Sequence, residues 1–176
     1  MANWRTAALS VIRLAMLSVL IETKNDEEGL ARTLASLVGG AVEGVVREVI
    51  VCDGGSTDHT LRVAEHAGCH VVTQGLAVAV AQAKGDWLLM LEPGARPADG
   101  WIEAVLDHVA RQQGPAKFER DEKLPLLKRL FGVARPLAQG LLIRKSEAAQ
   151  KQAGNGAELA RMVSAKVLRA KIRVAG

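Results

Sequence analysis

The run Asp53-Gly54-Gly55-Ser56-Thr57-Asp58 gathers residue types that suit a ligand rich in hydroxyl and phosphate groups. A carboxylate at the end of a strand can accept hydrogen bonds from a nucleobase or a ribose, and two glycines let the backbone turn tightly beside a ligand. Ser56, Thr57 or Asp58 can cap the helix expected next, whose N-terminus favours anions. A plain βα turn with an ordinary cap would use the same residues, so the hexapeptide needs support from elsewhere. Glu92 offers some, because it closes the apolar run 87–91 just ahead of Pro93-Gly94. Hard divalent cations need several oxygen ligands, so a lone Glu92 beside a proline is a weak metal position. His59, His66, Cys69 and His70 lack the convergence that zinc demands. There is no GxGxxG after the first strand and no GxxxxGK[ST], and Ser56 has no GxSxG setting. Dinucleotide, P-loop and hydrolase-triad chemistry are therefore disfavoured.

The elements that position these residues alternate. Leu17 to Glu22 reads as a short apolar strand. Asn25 with Glu28 resembles a helix cap and its acidic partner, and Leu30, Leu34, Leu37 and Val38 then fall on one helical face, ended by Gly39-Gly40. Val45 to Cys52 is a β-branched strand, followed by the hexapeptide and a helix of two turns up to Gly68. Further strands are expected near His70 to Thr73 and at Trp87 to Leu91, with a helix from Ala77 to Lys84 between them. Pro97 and Asp99 open a helix carrying Trp101, Val105 and Val109. A late strand, Gly140 to Arg144, and a helix from Ala157 to Leu168 complete the reading. Strands alternating with helices predict a mostly parallel sheet covered on both faces, with ligands at the carboxyl ends of the strands. Thr23, Asp53 and Glu92 should therefore surround one cleft.

Composition narrows the partners. At 176 residues and 49% apolar content the chain can bury one core. Aromatics are 3% and Tyr is absent, which removes the stacking platforms of single-stranded nucleic-acid binders despite a pI near 9.3. Residues 1–111 hold 9 Lys/Arg against 14 Asp/Glu, whereas residues 112–176 hold 14 against 5. The second part thus suits an anionic membrane surface or phosphates, or is simply a solvated basic face. Leu124, Leu127, Leu130 and Phe131, interleaved with Lys123, Lys128 and Arg129, fit a short basic amphipathic helix on such a surface, and equally a helix packed on the sheet. Cys52 and Cys69 show no paired spacing and read as thiols in a reducing compartment. The stretch from Ala7 to Ile21 is broken by Arg13 and is too short to span a bilayer. Those features predict a cytoplasmic chain, peripheral at the inner membrane face.

In order and spacing, LSVLIETKNDEEGLARTLASL, EVIVCDGGSTDHTLRVAEHAGCHVV and AKGDWLLMLEPGARPADGWIEAV resemble the donor half of family-2 glycosyltransferases, from Leu17 to Val109. The resemblance implies the GT-A fold, an α/β, Rossmann-like and mostly parallel sheet with helices on both faces. It divides the chain into an extension at 1–15, a nucleotide-sugar-binding half at 16–111 and a shortened acceptor-side region at 112–176. It places the base-contacting tetrapeptide at Glu22-Thr23-Lys24-Asn25 and implies nucleotide contacts from Thr23, Asn25, Asp53, Gly54 and Ser56. Gln139 and Gly140 match an acceptor-side strand. Mg²⁺ or Mn²⁺ is expected on an Asp-x-Asp after the fourth strand, where this chain has Glu92-Pro93-Gly94. The Asn-x-Gly ahead of that strand falls on Ala77 and Ala79. The Glu-Asp pair that supplies the family's base falls near Asn155-Gly156, neither of which can take a proton. Asp99, Glu119, Asp121 and Glu158 remain as substitute bases. Two functions are thus expected on the one fold. The first is a transferase passing sugar from a nucleotide donor to a lipid or cell-envelope acceptor, more slowly than an intact family member. The second is a catalytically silent nucleotide-binding or partner protein.

Overall fold

Leu17–Thr23 (β1) is buried along almost its whole length. A run apolar on both faces belongs in the middle of a sheet covered on both sides. It lies there, parallel to Val46–Asp53 (β2) on one flank and to Trp87–Leu91 (β4) on the other. His70–Val72 (β3) adds to β2, also parallel. Beyond β4 the sheet continues through strands of the basic half. These are Leu141–Arg144 (β7), antiparallel to β4, then Ala116–Arg120 (β6) and Lys166–Arg173 (β8), with the short Arg96–Pro97 (β5) at the edge. The order is β3-β2-β1-β4-β7-β6-β8-β5. This computed structural model describes residues 17–111, 113–121 and 136–174. The extension at 1–15 and the amphipathic segment from Leu124 to Phe131 lie outside the described residues.

Period-two alternation in the central strands sends side chains to two separate layers. Val19, Ile21, Val51 and Leu89 meet the helices Glu27–Val42 (α1), Thr60–His66 (α2) and Trp101–Ala110 (α4) in one core. Leu20, Ile50, Leu88 and Met90 meet Leu76–Gln82 (α3), Lys145–Lys151 (α5) and Gly156–Met162 (α6) in the other. Gly40 on α1 lets the Trp101 ring of α4 and Val46 of β2 come close because it has no side chain. A Cβ there would sit 2.8 Å from the Trp101 ring and 2.9 Å from Val46 Cγ2. Cys52 is buried and Cys69 half-buried, and neither forms a disulfide.

Several local expectations are corrected. Asp26, not Asn25, caps α1, accepting from the Gly29 N–H at 2.9 Å, while Glu28 pairs with Arg32 on the exposed face. No side chain caps α4, whose first turn starts from Gly100 at φ 81° rather than from Pro97 or Asp99. The helix expected to run to Leu168 stops at Met162, and the chain re-enters the sheet as β8. Leu168, Ala170 and Ile172 are buried with Arg169, Lys171 and Arg173 exposed between them, the signature of a half-covered strand. The β6 strand lies within the basic region where no strand was expected, and its parallel pairing with β8 holds both in place. Among the described residues no helix is long and apolar enough to cross a membrane.

Candidate functional site

Strand order reverses at β1, with β2 and β3 leading one way and β4 the other. In open α/β sheets the carboxyl ends of the strands part at such a point and leave a crevice. Here it is a cleft of about 570 Å³, within the usual range for small-ligand sites. Its wall includes Glu22, Thr23, Asp53, Gly54, Glu92 and Asn155. Thr23, Asp53 and Glu92 therefore share one cleft, as the strand ends predicted. Register explains it. Thr23 pairs with Asp53 across β1 and β2, and Ile21 pairs with Leu91, which brings Glu92 beside Glu22.

The Asp53 side chain organises its own turn. One carboxylate oxygen accepts the N–H groups of Gly55 and Ser56, each at 2.9 Å, and the other accepts the Ser56 hydroxyl. Burial opposes its ionisation, but these bonds from Ser56 and Gly55 together outweigh it and hold the carboxyl below its ordinary range. Three of roughly four acceptor positions are thus filled, leaving one for a ligand. Gly55 adopts φ 87°, so its glycine is required by the turn. The Thr23 hydroxyl on the same wall is buried and has no hydrogen-bond partner among the described residues, a polar group waiting for one.

Asn25 and Ser56, both expected at the nucleotide, are not on the cleft wall. They join the two loops behind it. The Asn25 N–H donates to the Ser56 hydroxyl at 2.9 Å, and the Asn25 side-chain oxygen accepts the Thr57 N–H at 2.7 Å. Asn25 adopts φ 51°, a left-handed conformation that asparagine tolerates better than most residues. The Asp26 N–H bonds to Thr60 Oγ1 and the His59 N–H to Glu27, so the brace ties residues 25–27 to residues 56–60. Asp58 accepts from the Thr60 N–H at 3.0 Å, but α2 starts from His59 with no side-chain cap, so the cap expected from the hexapeptide is not formed.

Glu22 reaches the opposite wall. Its carboxylate accepts the N–H of Gly156, the first residue of α6. Burial pushes its pKa up, only partly offset by the Gly156 bond. Cys52, its neighbour in register, is pushed up to about 12, by burial first and then by the Glu22 charge. The sequence signal for Glu22 was a single charged residue near the end of an otherwise apolar strand.

Residues 18–115 match the Glycosyl transferase family 2 model, and they carry most of the cleft wall, which Leu137, Asn155 and Ala157 complete. The chain belongs to the family 2 glycosyltransferases. Glycosyltransferase AglJ of Haloferax volcanii is 37% identical over 95 residues, which cover 49% of this chain and 28% of that protein. Glucosyl-3-phosphoglycerate synthase from Mycobacterium tuberculosis, in complex with Mn²⁺, UDP and phosphoglyceric acid, superposes with a TM-score of 0.59 at 21% identity. That superposition covers 79% of this chain and 59% of the other. The UDP complex of the same enzyme gives 0.59 over 84% and 64%. The chain therefore spans under two thirds of these relatives' length, and the shared architecture is the GT-A fold.

Glycosyltransferase chemistry raises the question of a divalent ion, and the donor set answers it for this chain. Such an ion takes about six oxygen ligands. At the end of β4 the chain presents Glu92, then Pro93 and Gly94. Among the described residues no group of three or more His, Cys, Asp or Glu side chains could hold a metal. The end of β4 thus supplies one carboxylate where the resemblance implied two. The substitute bases fare no better as a group. Asp99, Glu119, Asp121 and Glu158 all lie off the cleft wall. Asp121 is paired with Lys171 and Arg173, and Glu158 accepts the Gly154 N–H.

Proposed function

We propose that this glycosyltransferase-family chain binds a nucleotide-diphospho-sugar in the cleft and passes the sugar to a lipid or cell-envelope hydroxyl. The observation that carries the reading is the convergence of Thr23, Asp53 and Glu92 at the switch point of a family-2 sheet. The remaining acceptor position of Asp53 suits a base imino or ribose hydroxyl donor, and Gly54 leaves the adjacent backbone open. Support for a nucleotide comes from the M. tuberculosis enzyme of the same fold, whose structures hold UDP. The exposed Lys166 and Arg169 on β8, beside Lys171 and Arg173 that pair with Asp121, support an anionic membrane surface as the place where the acceptor is met. That surface lies on the acceptor-side region proposed for residues 112–176, with the donor half at 16–111.

A second reading, a silent nucleotide-binding or partner protein, is favoured by Gly94 and by Asn155-Gly156, which stand where carboxylates were expected. One set of measurements separates the two. Calorimetric titration with UDP-, GDP- and dTDP-sugars, with and without Mn²⁺, tests binding, and release of nucleoside diphosphate in the presence of membrane lipid extract tests transfer. Binding with release supports the transferase, binding without release the silent nucleotide-binding protein, and no binding refutes both and leaves the partner protein. An affinity that does not rise with Mn²⁺ agrees with the single carboxylate at the end of β4.

A further inference from the structure

A glycosyl-transferring cleft needs a group that can take the proton of the acceptor hydroxyl, and the cleft wall limits the choice. Asp53 takes three bonds from its own turn and is held ionised, which makes it a weak base. Asp26 is committed to the cap of α1. Cys52 remains a neutral thiol at neutral pH. Glu22 and Glu92 are left, side by side at the ends of β1 and β4.

Glu22 is the one built into place. Its carboxylate meets the Gly156 N–H across 134 positions of sequence. The contact requires glycine, since a Cβ at 156 would stand 2.7 Å from Glu22 Oε2, Leu137 Cδ1 and Met90 Cε. The backbone of α6 thus approaches as closely as it can and orients one carboxylate oxygen while other acceptor positions of the group remain. Burial raises its pKa toward the working range of a base, in the direction that acid–base groups need. Asn155 and Ala157 on the same wall carry no competing charge.

We infer that Glu22 is the acid–base carboxylate of this cleft. As the acceptor hydroxyl oxygen bonds to the anomeric carbon, its proton passes to Glu22. The bond from that carbon to the β-phosphate oxygen breaks, and its electron pair leaves with the nucleoside diphosphate. With water as acceptor the products are free sugar and the same diphosphate. The titratable groups around Glu22 are Cys52 on β2 and Glu92 beyond β4, with Lys24, Asp26 and Asp53 elsewhere on the wall. This inference rests on the transfer reading above.

The test uses the full chain and Glu22→Gln and Glu92→Gln variants, with UDP-glucose, GDP-mannose and dTDP-glucose as donors and water or membrane lipid extract as acceptor. Donor affinity is measured by calorimetry and diphosphate release from about pH 5 to 9. Glu22→Gln should bind donor within about threefold of the parent and lose roughly 10² to 10⁴ in release, together with the acidic limb of the pH profile. Glu92→Gln should keep that limb. Three results overturn the inference while leaving donor binding intact: release unchanged in Glu22→Gln, an acidic limb lost only in Glu92→Gln, or a parent chain that binds donor and releases nothing at any pH. A parent chain that binds no donor overturns the functional reading and this inference together.

Discussion

Replacing Asp53 by alanine separates two jobs that one carboxylate performs. The side chain accepts two N–H groups and a hydroxyl within residues 53 to 56. Hydrogen bonds to a charged group contribute about 1.5 to 3 kcal/mol each when fully buried. Gly55 and Ser56 lie at the surface side of the turn, where water can replace the lost acceptor, so the total should be about 2 to 3 kcal/mol. For a chain of this size that lowers Tm by about 4 to 12 °C. Because the folded carboxyl titrates below its ordinary 3.8, its contribution is complete above that pH and is lost as pH falls through the folded value. The Tm gap between parent and variant should therefore narrow in strong acid. Binding adds a second readout, since losing one charge-assisted bond to the ligand weakens UDP affinity at least about tenfold. Ser56→Ala is the control. It removes one bond of the turn and the bond from the Asn25 N–H, leaves the carboxylate, and should cost about 1 to 2 kcal/mol with little change in UDP affinity. If Asp53→Ala melts early yet binds UDP as tightly as the parent, Asp53 is a loop fastener alone and the ligand site has been misread.

Glu22→Gln should behave oppositely in stability. A carboxyl whose folded pKa lies above its ordinary 4.5 stabilises the fold fully below that value and loses the contribution as pH rises through the folded pKa. The variant should melt higher than the parent at pH 7 and lose that advantage below about pH 4.5, and a lower Tm at pH 7 would contradict the burial argument. Asn25→Gly should outlast Asn25→Ala in thermal melts, because both lose the bond from Thr57 but only glycine accepts φ 51° without strain; equal melts would show that the conformation relaxes freely. Gly40→Ala should cost about 1 to 3 kcal/mol by forcing α1 away from Trp101 and Val46, read as a lower denaturation midpoint with UDP affinity unchanged.

The central strands were legible because their residues are apolar on both faces, a pattern that few positions other than the middle of a covered sheet can satisfy. Details set by distant partners were not. Asn25 and Asp26 are both competent caps, and the choice between them is made by Thr57, which claims the Asn25 oxygen from another loop. Leu168, Ala170 and Ile172 carry a period of two, but only pairing with β6 shows that the preceding helix has already ended. Asp53 could be found from its glycines, whereas Glu22 showed only as a lone charge near the end of an apolar strand, because the group that orients it lies on α6.

Strand parity then gives the cleft two unlike walls. Thr23 and Asp53 follow Ile21 and Val51 toward the α1 and α2 layer, while Glu22 follows Leu20 toward the layer containing α6. On the first wall, hydrogen bonds from the turn outweigh burial and hold a carboxylate ionised. On the second, burial outweighs one backbone bond and raises the carboxyl's pKa. Opposite shifts on two carboxylates in one cleft are what separates a binding anion from a proton acceptor. A one-residue slip of β1 against its neighbours would exchange the walls and place the buried, raised carboxyl among the turn N–H groups. The division therefore depends on β1 keeping its register with β2 and β4, which its fully buried apolar residues enforce.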